Sequence, residues 1–245
     1  MTGKLTKQQS IILAVLIGSL IVALVLRMLP YLSMDFATFA VHGDPDVWYN
    51  FRQIEVMVSD FPRYNWFDPM TGYPTGKYID WGPLFPMIAS ALCIVTGAVL
   101  RVDFIAVSSF VPILFGVLMV PVVYFLGRQV AGWKAGIIGA VFIAVVSGEY
   151  FYRTMAGVVD HHCAEIVFTT LFCLFVLFAV RKAAEQEVDI RNPASYKPIL
   201  IPSVLAGIAL AAGMAVVMTV LLFAMILSLY TLLQYTWNAF HETRT

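Results

Sequence analysis

The sequence predicts an all-α polytopic membrane protein with about six transmembrane helices. Hydrophobic residues make up 60% of the 245 residues and charged residues only 12%, about half the charged fraction of a soluble domain. Mean hydropathy is +0.84, and the apolar residues gather in long runs. A helix that crosses a bilayer core requires about 20 apolar residues, and these runs are long enough to supply them. The formal net charge is zero, so no basic surface for nucleic acid is indicated.

The long apolar runs give the predicted spans. The first is interrupted only by Arg27. It is long for a signal peptide and residues 27–31 form a poor cleavage site, so an uncleaved span is predicted. The last run would form a helix of about 65 Å, twice the hydrocarbon thickness, which predicts two spans with a turn near Gly213. The five runs are 11–32, 104–126, 133–152, 164–180 and 198–240.

A further apolar segment, residues 82–100, decides the topology. It contains Pro83, Pro86 and Gly97. If it spans, the polar loops before and after it lie on opposite faces of the membrane. If it lies at the surface or re-enters, both loops share one face. The distribution of Lys and Arg does not separate the two arrangements. The second is predicted, with an external loop over 33–103 that holds an embedded or interfacial helix.

The first polar motif, GDPDVWYNFR over residues 43–52, follows the first span and sets Asp44 and Asp46 two residues apart. Such a pair can hold a hard divalent cation beside a phosphate, because Mg²⁺ and Mn²⁺ prefer oxygen ligands and fill their shells with substrate oxygens. The same triplet also starts a helix well, with Asp44 as N-cap, Pro45 in the first turn and Asp46 near the positive helix end. The two interpretations are compatible.

The second polar motif, YFYRTMAGVVDHHCAEIVF over residues 150–168, lies between two predicted spans. Asp160, His161, His162 and Glu165 stand here among apolar neighbours. Ionisable groups at a membrane edge are costly and usually functional. A carboxylate and an imidazole two residues apart suit Mn²⁺ as well as Zn²⁺. A metal site is therefore predicted, with an interfacial polar cap on a helix as the alternative.

Residues 160–163 also spell DHHC, the signature of membrane palmitoyltransferases. In that family the motif lies in a cytoplasmic domain dense in zinc-binding cysteine and histidine. The other two cysteines, Cys93 and Cys173, lie in apolar runs, where they are interpreted as small core residues. The match to that signature is interpreted as accidental.

Together, the two motifs resemble the N-terminal part of the catalytic subunit of archaeal-type oligosaccharyltransferases, which are membrane-embedded C-type glycosyltransferases. The resemblance covers nearly the whole chain, through DPDVWYNFR, YPTG, WGPLFP and SGEYFYRTMAGVVDHHCAE. It implies that the first loop and the second acidic motif, 153–165, share the non-cytoplasmic face of the cell membrane. It also implies transfer of an oligosaccharide from a dolichyl-phosphate-type carrier to Asn of Asn-x-Ser/Thr, with Mn²⁺ or Mg²⁺ as cofactor.

The resemblance assigns the metal ligands residue by residue. Asp46 would bind the ion and engage the acceptor asparagine, with Asp44 as its supporting partner. Asp160 and His162 would be the other ligands. The implied partners are a lipid-linked oligosaccharide, an acceptor polypeptide and the membrane.

The resemblance also gives roles to residues beside the ion. His161 would face the lipid-linked phosphate, and Arg153 would neutralise carboxylates or phosphate. Glu149 lies four residues before Arg153, which predicts a local ion pair. The aromatic residues of 48–51 are expected to anchor the first loop at the interface.

The family pattern continues beyond this chain, into a soluble domain with a Trp-Trp-Asp motif and a later loop with a further glutamate. We therefore expect an N-terminal part that is inactive alone. Two other classes stay open. Another C-type lipid-phosphate-sugar glycosyltransferase would not need the DHH motif. A non-enzymatic transporter or assembly subunit would place acidic residues along a path through the bundle.

Overall fold

The computed structural model describes residues 5–33, 45–100, 103–185, 188–189 and 191–241. Its fold is helical, with two-residue strands β1 (Phe67–Asp68) and β2 (Lys77–Tyr78) pairing antiparallel in the first loop. Short 3₁₀ turns, Leu29–Ser33 and Met218–Val220, follow α1 and α7. The helices are α1 (Lys7–Met28), α2 (Pro45–Ser59), α3 (Leu84–Leu100), α4 (Phe104–Val145), α5 (Glu149–Arg153), α6 (His162–Ala184), α7 (Pro193–Val216) and α8 (Leu221–Phe240).

Within the described residues, five helices are long and apolar enough to cross a membrane: Lys7–Ser33, Phe104–Val145, His162–Ala184, Pro193–Val216 and Met218–Phe240. The predicted class, an all-α polytopic membrane protein, is confirmed. The 42-residue α4 contains a break at Ala131 and Gly132, whose backbone angles are not helical. A Cβ on Gly136 would lie 2.6 Å from the carbonyl oxygen of Tyr124, so the two arms of α4 fold back on each other as a hairpin.

One predicted boundary is wrong, and another is shifted by three residues. The second arm of α4 ends at Val145 rather than continuing to residue 152, because Val146 is extended and Gly148 has a φ of +150°. The last apolar run forms two candidate spans as predicted, and its turn begins after Val216, three residues beyond Gly213. Gly213 is helical and provides close packing instead, since a Cβ there would lie 2.9 Å from a methyl group of Val220.

The ambiguous segment forms α3, an apolar helix of 17 residues that is shorter than the five candidate spans. Its first turn lies beside the end of α7, where the Gly82 amide donates to the Val216 carbonyl at 2.9 Å. Its later turns approach the start of α4, where Cys93 Sγ lies 3.5 Å from the Phe104 carbonyl oxygen. Phe85 meets Phe115, eleven residues further along α4. Helix α3 therefore runs antiparallel to the first half of α4 and away from the hairpin turn.

Within the first loop, strand β1 is joined to α2 by the buried carboxylate of Asp68. Asp68 is fully buried and accepts hydrogen bonds from Arg52 Nε at 3.0 Å and from Arg52 Nη2 at 3.2 Å. It also accepts from the Met70 amide and the Thr71 hydroxyl. Burial by itself raises the pKa of this carboxyl, but the bonds from Arg52, Met70 and Thr71 outweigh burial, and the net pKa is lowered.

Replacing Asp68 with asparagine is expected to destabilise the first loop by about 1–2 kcal/mol, because its charge-assisted hydrogen bonds are lost. The loss is limited because Arg52 is partly exposed and solvent screens its charge. The folded state lowers the pKa of Asp68, so its contribution is present at neutral pH. It is lost as the pH falls below the usual carboxyl range. Thermal unfolding at pH 7 and pH 3 checks this. Asp60→Asn, at an exposed ion pair, is the control, and equal melting of both variants would contradict the prediction.

Candidate metal centre

The candidate site lies in the connection between α5 and α6, residues 154–161. Its backbone is fixed from two sides. The Ala156 amide donates to the Arg27 carbonyl at 2.9 Å, and the Gly157 amide donates to the Ser109 carbonyl at 3.1 Å. Gly157 has a φ of +84°, a conformation that glycine adopts without a steric cost. The loop therefore presents its polar residues in one arrangement, set by α1 and α4.

A buried guanidinium reinforces this arrangement. Arg27, at the end of α1, is fully buried and donates from Nε to the Thr154 hydroxyl at 2.8 Å. It also donates to the carbonyls of Ala23, Ile143 and Ala144. Backbone carbonyls are a usual partner for an arginine at membrane depth. Sequence reasoning recorded Arg27 only as an interruption of the first span.

Asp160 is the most buried ionisable residue of the site, with a fully buried side chain. One oxygen forms an ion pair with Arg153 Nη1, and the other accepts from the His162 amide at 3.1 Å. Arg153 also donates to Glu149 Oε1 at 2.7 Å, so the predicted local pair is confirmed. Arg153 thus lies between an exposed and a buried carboxylate and compensates part of the charge buried at Asp160.

His161 is nearly buried, with 5% of its surface exposed. Its ring stacks on Trp81, with centroids 5.5 Å apart and planes at 12°, and its Nδ1 lies 3.4 Å from Asp160 Oδ1. Burial lowers the pKa of His161 to about 4. The ring is therefore neutral at physiological pH and can donate one hydrogen bond.

His162 is the first residue of α6, and its Nδ1 forms a short hydrogen bond with Glu165 Oε2. The second oxygen of Glu165 accepts from the Thr219 hydroxyl. The carboxylate is therefore engaged on both oxygens. The sequence placed Glu165 in the second polar motif without a specific role, and the structure shows it hydrogen-bonded to His162.

Helix α2 meets the site through Asn50. The Asn50 amide donates from Nδ2 to the Asp46 carbonyl at 2.8 Å, and the same nitrogen lies 3.4 Å from His161 Nδ1. The first turn of α2 is thus adjacent to the loop of Asp160, on the same end of the bundle. Asp44 lies outside the described residues. Sequence reasoning missed Asn50, although its position four residues after Asp46 places both on one helix face.

The aromatic residues after Asp46 do not act as one anchor. Phe51 is 6% exposed and packs in the main core, whereas Trp48 is exposed at 36%. Tyr49 packs edge-on against Trp81, with ring centroids 5.0 Å apart. The predicted interfacial role is therefore wrong for Phe51, because successive residues of a helix face different directions.

The donor set fits a divalent cation. Among the described residues, Asp160, His161 and His162 each offer one ligand atom, and these atoms lie within 4.8 Å of one another. Two ligands on opposite sides of one ion, with bonds of about 2.0–2.6 Å, are separated by about 4–5 Å. Asp46 is not a member of this group, so its part in a shared site stays a prediction.

The helices and this cluster define a polytopic membrane protein with a candidate carboxylate–imidazole metal centre at one end of its bundle. The chain belongs to the family described as oligosaccharyl transferase STT3, N-terminal, whose sequence pattern matches residues 11–240. It is 36% identical over 153 residues to dolichyl-phosphooligosaccharide-protein glycotransferase 3 of Archaeoglobus fulgidus. The aligned residues make up 62% of this chain and 18% of that protein. The chain therefore spans about a fifth of the length of this relative.

Solved structures agree with the family. An archaeal oligosaccharyltransferase AglB from Archaeoglobus fulgidus, in complex with an inhibitory peptide and a dolichol-phosphate, matches at a TM-score of 0.75 and 30% identity. The match covers 84% of this chain and 23% of that one. A crystal structure of the Archaeoglobus fulgidus oligosaccharyltransferase in complex with Zn and sulfate matches at a TM-score of 0.66 and 30% identity. This match covers 80% of this chain and 24% of that one.

Proposed function

We propose that this chain is the part of an oligosaccharyltransferase that holds its catalytic divalent cation. The complete reaction would transfer an oligosaccharide from a dolichyl-phosphate-type lipid carrier to the side-chain nitrogen of Asn in Asn-x-Ser/Thr. The observation that carries the proposal is the cluster of Asp160, His161 and His162 beside the helix turn of Asp46. The family and the named relatives support the reaction class.

In this proposal Asp160 and His162 hold Mn²⁺ or Mg²⁺ together with Asp46. A related structure contains Zn and sulfate, and carboxylate and imidazole ligands accept zinc as well as manganese. When bound, the ion supplies positive charge that stabilises the departing phosphate. Arg153 compensates the charge of Asp160, and Asp44 supports Asp46.

The amide nitrogen of asparagine is a weak nucleophile because its lone pair is delocalised into the carbonyl. Asp46 would accept a hydrogen bond from this nitrogen and take up its proton as the bond to the sugar carbon forms. The bond from that carbon to the phosphate oxygen breaks, its electron pair leaves with the phosphate, and configuration at the carbon inverts. The neutral ring of His161 would donate a hydrogen bond to the lipid-linked phosphate.

The site is proposed to lie on the non-cytoplasmic face of the cell membrane. The first turn of α2 and the α5–α6 connection come together at one end of the bundle, opposite the hairpin turn of α4. In this arrangement the N-terminus and the turn at 131–132 are cytoplasmic, and the 33–103 loop is external. Cysteine labelling from either side of sealed vesicles, at residues 60 and 132, tests the orientation.

Replacing Asp46 with asparagine is expected to weaken Mn²⁺ binding by about 10–100-fold, or about 1.4–2.7 kcal/mol, if its carboxylate shares the ion. Binding is measured on the purified chain by electron paramagnetic resonance of free Mn²⁺. Asp60→Asn makes the same change just after α2, at an exposed side chain, and should bind as the parent does. If Asp46→Asn binds Mn²⁺ with the affinity of the parent, Asp46 is not a ligand of the ion.

The reaction itself is tested in a chimera, because the chain spans about a fifth of the curated relative that it matches. Residues 11–240 would replace the matching stretch of the Archaeoglobus fulgidus relative. Transfer to an Asn-x-Thr peptide is then followed by mass spectrometry, with a Gln-x-Thr peptide as control. Metal-dependent glycopeptide formation is expected. A folded chimera that binds peptide and metal but transfers nothing would contradict the proposed reaction.

A further inference from the structure

The hydrogen bonds of His162 extend beyond the metal cluster into the second half of the chain. Glu165 lies three residues after His162, on the same face of α6, and bonds to its Nδ1. The Thr219 hydroxyl bonds to the other oxygen of Glu165 across 54 residues of sequence. Thr219 belongs to the turn between α7 and α8. A continuous chain of side chains therefore joins that turn to His162.

Glu165 does not act as a ligand in this arrangement. Its Oε2 is engaged by His162 and its Oε1 by Thr219, and it is absent from the group of possible metal ligands among the described residues. Its side chain is 15% exposed and that of His162 is 35% exposed. The carboxylate is therefore more buried than the imidazole that it contacts.

The bond at Nδ1 determines which nitrogen of His162 remains available. A carboxylate accepts the proton of Nδ1–H, which leaves the lone pair of Nε2 free for a cation. Such a partner fixes the tautomer and the orientation of a metal-binding histidine. A protonated His162 paired with Glu165 would be the alternative, a local ion pair with no lone pair to offer.

We propose that Glu165 and Thr219 are positioning residues that hold His162 with its Nε2 directed at the cation of Asp160. This inference rests on the proposed metal site. Thr219 fixes Glu165, Glu165 fixes the tautomer and rotation of His162, and the geometry of the metal centre depends on the packing of the α7–α8 turn. That turn is held by the close approach of Gly213 to Val220.

The test uses the purified chain in detergent micelles and two measurements besides activity. Mn²⁺ affinity is measured by titration, and ¹⁵N chemical shifts of labelled histidine report which ring nitrogen carries the proton. Glu165→Gln is expected to weaken binding by about 10–100-fold, as is typical when the partner of a metal-binding histidine is lost. Thr219→Val is expected to weaken binding by less than Glu165→Gln does, since it removes only the second bond of the chain.

Matched variants separate this role from a general loss of structure. Thr170→Val makes the same change on α6, where the Thr170 hydroxyl bonds to the Ile166 carbonyl of the same helix, and should bind as the parent does. Thr219→Ser keeps the hydroxyl and should restore affinity. In the parent without metal, His162 should carry its proton on Nδ1, and Glu165→Gln should shift the tautomer equilibrium toward Nε2–H.

The outcomes distinguish this inference from the proposed metal site. If Asp160→Asn binds Mn²⁺ like the parent, the metal site itself is rejected. If Asp160→Asn loses binding while Glu165→Gln and Thr219→Val retain it and His162 keeps its tautomer, the metal site stands and the positioning role is overturned. If Glu165→Gln does not fold, the Thr219→Val and Thr219→Ser pair decides, because only a hydroxyl-dependent affinity supports the inference.

Discussion

Asp160→Asn is expected to lower the affinity of the chain for Mn²⁺ by about 100-fold or more, equivalent to about 2.7 kcal/mol. The asparagine keeps the shape and can still accept from the His162 amide, which bonds to Asp160 Oδ1 at 3.1 Å. What is lost is the negative charge at a fully buried position, where a carboxylate attracts a cation more strongly than it does in water. Titration with Mn²⁺ measures the change.

Glu149→Gln is the control for this prediction. Glu149 also pairs with Arg153, but its side chain is 72% exposed, so its charge is screened by solvent. Its variant should bind Mn²⁺ within about two-fold of the parent, as expected for a screened surface charge. Equal losses in both variants would indicate that affinity follows the overall charge of the segment rather than a ligand at Asp160. In the chimera, Asp160→Asn should also abolish glycopeptide formation.

Gly116→Ala is expected to destabilise the protein by about 3 kcal/mol or more, because overpacking costs about 1–3 kcal/mol and a buried hydrogen bond to a charged group is lost as well. A Cβ on Gly116 would lie 2.4 Å from Arg27 Nε and 2.8 Å from Thr154 Cβ. Arg27 cannot move aside easily, since it donates to Thr154 and to carbonyls of two helices and lies 4.6 Å from the Phe151 ring centroid.

Thermal unfolding in detergent checks the effect of Gly116→Ala. Gly207→Ala is the matched control, because it also lies in a long apolar helix and a Cβ there would meet nothing within 4 Å. We also expect weaker Mn²⁺ binding in Gly116→Ala, since Thr154 begins the loop that carries Asp160. Identical melting of the two variants would show that Arg27 is not a fixed part of the core.

The sequence by itself determined the class of the fold, because burial in a bilayer acts on each helix separately. A run of about 20 apolar residues is sufficient to predict a span, and five of the described helices follow from such runs. The pairing of Glu149 with Arg153 was also predictable, since residues four apart on a helix are neighbours whatever surrounds them. The two acidic motifs were found because charge is costly at a membrane edge.

Element ends were predicted less well for a physical reason. Gly213 was expected to form a turn, but the flexibility of glycine and its small size give the same signal in a sequence. The structure shows that position 213 requires the small size of glycine, because a Cβ there would lie 2.9 Å from a methyl group of Val220. In the same way, hydropathy continued past Val145, whereas the backbone leaves the helix at Val146.

Only the tertiary structure decided how the candidate centre is assembled. Asn50 meets His161 across 111 residues, and Thr219 meets Glu165 across 54; neither contact follows from periodicity or composition. These contacts depend on how the helices pack, which a one-dimensional pattern of apolar residues does not specify. The sequence therefore indicated the candidate ligands, and packing brought Asp160, His161 and His162 together and paired Glu165 with His162.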